Sequence, residues 1–258
     1  KLAFATILSS YNKRIYTADE PDDYFVSVRL LNYQIQHDKV TRTKRQIPFL
    51  VLVTPDILPW KRQQLEKEGA TVVPVDKIVS HSMKPGIDAW GDAISKLKVF
   101  ELIGYDRILF LDADTFLLKS LDRVFKDRAA KPQNTLDLAP INPDEAPLPE
   151  SYLISTNSEA QPAVQSDPPL EREQPSFNAG FFLLAPSIEI FNYYTSLLNM
   201  PGLFNGTYTA QHLLDYAHRP DGNMPYSRIS RGWNIDGPKM NAKPRVASIH
   251  AKLWNDEN

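Results

Sequence analysis

Ten residues, Arg107-Ile108-Leu109-Phe110-Leu111-Asp112-Ala113-Asp114-Thr115-Phe116, constrain what this chain can fold into more than any other stretch. Ile108 to Leu111 is an unbroken apolar run, which reads as a strand buried on both faces, as in a parallel sheet. Asp112 and Asp114 follow where that strand ends. In open α/β sheets the ligand crevice lies outside the carboxyl ends of the strands. Carboxylates at i and i+2 leave a strand end on the same side, so both can face one hard cation. A bare D-x-D also occurs as a turn cap or a solvated pair. Behind a fully apolar strand, the reading of a divalent cation shared with phosphate oxygens is favoured.

A chain of 258 residues is long enough to bury a large core. A formal net charge of -2 points to no nucleic-acid partner and to no membrane surface through bulk electrostatics. No stretch approaches the roughly 18 to 20 apolar residues of a membrane span. The chain begins at Lys1 rather than methionine. The expectation is therefore that an upstream signal or anchor has been removed, and that any membrane contact runs through it. With no cysteine, disulfides and thiolate metal sites are excluded.

The first half alternates between strand and helix patterns. Leu2 to Leu8 is a strand. Asp22 and Asp23 cap a helix whose Tyr24, Val28, Leu31 and Ile35 form one apolar stripe. Pro48 to Thr54 is a second strand, followed by a helix with Pro59 in its first turn and Gly69 at its end. Thr71 to Val75 is a third strand, and 91–103 a third helix with Ala93, Leu97 and Phe100 inward. Such alternation means right-handed crossovers and a mostly parallel sheet.

From Lys131 to Ser176 the character changes: nine of the 21 prolines fall here, with eight acidic residues against Lys131 and Arg172. Leu136 to Ile141 reads as a strand, and the rest as an acidic insertion that is either a lid or a solvated loop. The chain is thus expected to be one domain over 1–258, with a nucleotide-binding half over 1–130, this insertion over 131–176 and a sugar and acceptor half over 177–258. Order returns with the strand Phe177 to Leu184, a helix from Ser187 to Leu198, and another from Tyr208 to His218 carrying Gln211. Val246 to His250 is a last strand, and His250 alone of the five histidines sits at a strand end. His37, His81, His212 and His218 read as surface or packing residues.

Six segments, taken in order, resemble glycosyltransferase family 8, the family that includes glycogenin. Phe110-Leu111-Asp112-Ala113-Asp114-Thr115 resembles its D-x-D segment. Phe4-Ala5-Thr6 and Asp23-Tyr24 resemble the uridine-binding segment. Ser95-Lys96-Leu97 resembles a T-K-L whose lysine reaches the donor phosphates. Phe177-Asn178-Ala179-Gly180 resembles F-N-S-G, whose asparagine faces the donor sugar. Gln211 resembles the glutamine of an acid–glutamine pair, and His250 the third metal ligand. Asp22 to Val26 and Leu213 to Pro225 look most like fungal members.

This resemblance implies an α/β GT-A-type nucleotide-sugar-binding fold with a mostly parallel central sheet flanked by helices. It implies retaining transfer of a hexose from a UDP-sugar to a glycan or protein-linked hydroxyl acceptor, with manganese, or magnesium as the alternative. Asp112, Asp114 and His250 would be the metal ligands. Ala5, Thr6, Tyr24, Lys96, Ala113 and Lys252 would join them in holding the donor, and Gln211 and Asn178 would serve the catalytic step. The expected compartment is the Golgi lumen or secretory pathway, with the cytoplasm as alternative, and Asn205-Gly206-Thr207 is a sequon.

Three features depart from the family pattern. The C-terminal His250-Ala251-Lys252-Leu253-Trp254 is shorter than the usual H-x-x-G-x-K-P-W. No tyrosine is assignable as a self-glycosylation site. Ala210 stands where an acid precedes the glutamine, which predicts slow transfer that an acid at 210 would accelerate. A weakly active or inactive binding member of the fold is the alternative. An aspartyl phosphatase of the haloacid dehalogenase type also begins D-x-D-T after an apolar strand. No Asp-Asp or G-D-x-x-x-D follows residue 114 to complete its magnesium site.

Overall fold

The structure is a computed structural model that describes residues 1–9, 22–78, 94–159, 176–200, 202–204, 209–236 and 246–251. Lys252, Asn205, His81, the start of the third expected helix and residues 160–175 of the expected insertion lie outside these.

Strands β1 (Leu2–Leu8), β2 (Phe49–Val53), β3 (Thr71–Pro74) and β4 (Arg107–Leu111) pair in parallel in the order β4-β1-β2-β3. Helix α1 (Asp23–Gln36) connects the first two of these and α2 (Pro59–Lys67) the next two. Asp22 caps α1, its side chain accepting from Phe25 N–H at 3.0 Å. The sheet is extended beyond β4 only. Short β5 (Thr115–Leu117) turns away, β6 (Gln133–Asn134) pairs with β7 (Ser151–Tyr152), and β8 (Ile154–Glu159) and β9 (Ser176–Leu184) return to the main sheet. After helices α3 (Ile188–Leu198) and α4 (Thr209–Ala217) come β10 (Ser227–Arg228), β11 (Asn234–Asp236) and β12 (Ser248–His250).

The seven-stranded order is β10-β8-β9-β4-β1-β2-β3, and β9 runs antiparallel to both its neighbours. The other ladders are parallel, so the mostly parallel sheet expected from the alternation is present. A second sheet is ordered β11-β12-β5. Because β4 is buried on both faces, its side chains enter two separate cores. Ile108 and Phe110 pack with Phe100, Phe182 and Tyr194 under α3 and α4, and Leu109 and Leu111 pack with Val28, Leu31 and Phe181 under α1.

Three local expectations are corrected. The third helix, over its described part Ile94–Glu101, is a 3₁₀ helix. Ile94, Leu97 and Phe100 fall three apart and are all buried, which matches a helix of three residues per turn. Leu136 to Ile141 forms no ladder. Pro140 and nearby Pro143 remove donors, the N–H groups of Leu138 and Ala139 both reach Asn223 Oδ1 at 2.8 Å, and Leu136, Leu138 and Ile141 are exposed. The stretch read as an insertion supplies β8, which sits inside the main sheet. Its Ser155 and Thr156 are fully buried, with hydroxyls donating to the carbonyls of Ala129 and of Asn178 and Phe181. Satisfied hydroxyls let a polar stretch serve as an interior strand.

Candidate metal centre

Strand β4 ends at Leu111, and Asp112 N–H donates to Gly180 O of β9 at 2.8 Å. A tight turn follows, with Thr115 N–H donating to Asp112 O at 3.0 Å, and the chain leaves as β5. Strand β12 pairs antiparallel to β5 with His250 opposite Thr115, and Ala251 N–H donates to Asp114 O at 3.0 Å. Two strand ends distant in sequence thereby meet. Asp112, Asp114 and His250 each offer a ligand atom, and these atoms lie within 4.8 Å of one another.

His250 Nε2 lies 3.0 Å from Asp114 Oδ1. Burial alone pushes the Asp114 carboxyl up. The hydrogen bond and charge of His250, and the charge of Lys96, outweigh burial and hold it below the usual carboxylate range. Lys96 is buried, its Nζ 2.7 Å from Asp112 Oδ1 and 3.1 Å from Ala179 O, with the Phe110 ring centroid at 5.3 Å. It stands beside the Asp112 carboxylate and fixes its orientation. The other oxygen, Asp112 Oδ2, faces the Gly180 and His250 side. Two carboxylates and an imidazole on strand ends are a fitting donor set for Mn²⁺ or Mg²⁺, and three protein ligands do not complete the six positions of such a cation.

Gly180 makes this convergence possible. A Cβ there would stand 2.6 Å from His250 Cε1, 2.9 Å from Asp112 Oδ2 and 3.0 Å from His250 Nδ1. A glycine inside a strand pattern is the sequence signal for such close approach, but nothing local says what approaches.

The remaining expected residues are placed differently. Asn178 is buried, and its Oδ1 accepts from Gly180 N–H at 2.8 Å, so that oxygen shapes the backbone. Ala5 and Thr6 are fully buried within β1 and present no surface to a base. Leu8 at the carboxyl end of that strand is buried as well, and Ser9 just past it is half-buried. Tyr24 lies half-buried in the first turn of α1, and Ala113 sits buried between the two aspartates. Gln211 is half-buried on α4.

Ala210 is 5% exposed and belongs to the apolar core under α4. It is a packing residue, so an acid at 210 would enter that core; the acceleration expected from one loses its basis. Asp215 follows Gln211 by four residues, on the same face of the helix. It accepts a hydrogen bond from Phe177 N–H at the start of the strand that carries Gly180. Among the described residues it is the acid of α4 that reaches β9, and its place four residues past Gln211 makes it the sequence's own candidate for the acid that Ala210 lacks.

No protein-family model matches the chain. An uncharacterized Schizosaccharomyces pombe protein is 28% identical over 92% of this chain and 70% of its own length. Human glycogenin-1 is 26% identical over 65% of this chain and 39% of its own length. Among solved structures, mouse xyloside xylosyltransferase 1 superposes with a TM-score of 0.58 over 97% of both chains at 13% identity. In sequence the chain is thus similar to glycosyltransferase family 8, and its fold is the GT-A fold of glycosyltransferases.

Proposed function

We propose that the chain is a metal-dependent glycosyltransferase that moves a hexose from a UDP-sugar to a hydroxyl of a glycan or protein-linked acceptor, with retention of anomeric configuration. The observation that carries this reading is the convergence of Asp112, Asp114 and His250 at the carboxyl end of the central strand of a GT-A fold. A divalent cation bound by these three residues would neutralise charge on the diphosphate of the donor.

The chain's own groups would bind, orient and exclude. Lys96 holds Asp112 by one oxygen and leaves the other facing His250. Its ammonium also adds positive charge where a diphosphate would lie. Gln211 and Asp215 would flank the transferred sugar from α4. The bond from the anomeric carbon to UDP breaks as the acceptor oxygen bonds to that carbon on the same face, and the acceptor's proton passes to the departing phosphate. No protein base is then required, and the rate rests on positioning and preorganised charge.

The test is a panel of UDP-sugars assayed for UDP release with Mn²⁺ and with a chelator. The reading expects release from one donor that depends on Mn²⁺ and disappears in Asp112→Asn. Absence of release from every donor in the presence of Mn²⁺ and candidate acceptors would overturn it.

A further inference from the structure

The strand β9 is not regular where it passes the metal centre. Thr156 of β8 pairs with Phe182, and Ser158 pairs with Phe177. Asn157 alone therefore stands opposite Asn178, Ala179, Gly180 and Phe181, which form a wide bulge. Bulges re-aim the chain beside active sites, and this one divides its carbonyls between two sides. The inner pair faces the cation ligands: Ala179 O accepts from Lys96 Nζ at 3.1 Å, and Gly180 O accepts from Asp112 N–H at 2.8 Å. The outer pair turns back toward β8, where the Thr156 hydroxyl lies 2.8 Å from both Asn178 O and Phe181 O. A third tie runs inside the bulge, from Gly180 N–H to Asn178 Oδ1.

We propose that Thr156 is a positioning residue for the cation ligands: its buried hydroxyl clamps both ends of the bulge and so fixes Ala179 and Gly180 against Lys96, Asp112 and His250. Thr156 is fully buried, and its one hydroxyl hydrogen has three carbonyls in reach, the two ends of the bulge at 2.8 Å and Asn157 O at 3.1 Å. Without it, both carbonyls lose this buried donor, and the bulge is released to rearrange toward other donors. Any such movement carries Gly180 with it. Gly180 already sits where an added atom would stand 2.6 Å from the His250 ring, so the ligand set has no slack on that side. Groups that orient metal ligands typically change metal affinity by about 10- to 100-fold when removed.

The inference rests on the metal reading above, and a Mn²⁺ titration separates the two. Wild type, Thr156→Val and Thr156→Ser are titrated with Mn²⁺ in the presence of UDP, and each is checked for a single cooperative thermal transition. Thr156→Val keeps the shape and removes the hydroxyl; it should weaken Mn²⁺ about tenfold or more. Thr156→Ser restores the hydroxyl and should bind within about threefold of wild type. If wild type does not bind Mn²⁺, the metal reading fails and this inference with it. If wild type binds and a folded Thr156→Val binds equally well, only the positioning role is overturned. Should Thr156→Val fail to fold, Asn178→Ala removes the third tie of the same bulge; unchanged Mn²⁺ affinity in that folded variant overturns the role of the bulge.

Discussion

Gly180 lies so close to His250 that a methyl group on its Cα would come within 2.6 Å of the ring carbon Cε1. The same methyl would stand 2.9 Å from Asp112 Oδ2, so two of the three residues of the candidate cation site lean on one missing side chain. The backbone of Gly180 is not in the left-handed region, so the demand is for space rather than for an unusual dihedral.

It follows that Gly180→Ala should separate site from fold. The added methyl pushes His250 and Asp112 apart, and Mn²⁺-dependent UDP release should fall by about 100-fold or more, comparable with loss of one preorganised electrostatic group. Far-UV circular dichroism should remain native, since the bulge is a local feature. Retained turnover in Gly180→Ala would show that the close approach is not needed.

A second prediction concerns His218, which is fully buried between Tyr194 and the carbonyl of Met224. Its Nδ1 lies 2.6 Å from Met224 O, so that nitrogen carries the hydrogen and Nε2 accepts from the Tyr194 hydroxyl. Burial pushes the imidazole down from 6.5 to about 4. The unfolded chain takes up a proton below pH 6.5 that the folded chain refuses until about pH 4, so stability falls as pH drops through that window. The full effect is about 3 kcal/mol at 1.36 kcal/mol per pKa unit. Urea midpoints of wild type and His218→Gln should converge between pH 7 and pH 4.5, and parallel curves would contradict the assignment.

The acid at position 210 gives a prediction of opposite sign to the one the motif suggests. Ala210→Glu places a carboxylate in an apolar core, so it should destabilise the protein by about 2 kcal/mol or more. It should not accelerate transfer. Thermal melts and initial rates at saturating donor measure both, and faster transfer at unchanged stability would restore the motif reading. Asp215→Ala is the comparison, because it removes the carboxylate that holds Phe177 N–H.

The entry to α1 offers a stability test away from the site. Asp22 caps that helix and also pairs with Lys61, both side chains being buried, with the Lys61 ammonium 5.4 Å from the Phe25 ring centroid and 5.5 Å from that of Trp60. Asp22→Ala loses the cap and strips a buried ammonium of this carboxylate, at a cost of about 3 kcal/mol. Adding Lys61→Met to that variant should recover at least about 1 kcal/mol in urea unfolding, because an apolar group suits the site better than a charge without this partner. A further loss in the double variant would mean that Lys61 is held by other contacts.

What could be read in the chain depended on how local its cause was. The strand Arg107–Leu111 and its two aspartates were legible because an apolar run and a carboxylate pair are both written consecutively. His250 was legible as a polar residue at a strand end, and its meeting with Asp114 was implied only by family resemblance. The β5–β12 ladder that joins them is a long-range pairing. The strand Ile154–Glu159 was missed because Ser155 and Thr156 look like loop residues until their carbonyl partners on other segments are known. Asn178 was expected to face a sugar. Its Oδ1 closes a turn onto Gly180, two residues on, inside the irregular stretch opposite β8.

The claim on which the rest depends is that Asp112, Asp114 and His250 form one divalent-cation site. Calorimetric titration of Mn²⁺ in the presence of UDP tests it most directly, with wild type compared against Asp114→Asn and His250→Ala. The account predicts one Mn²⁺ per chain in wild type, with affinity reduced by about 100-fold or more in each variant while the thermal transition stays cooperative. Equal Mn²⁺ affinity in all three proteins, or no binding by wild type, would contradict it.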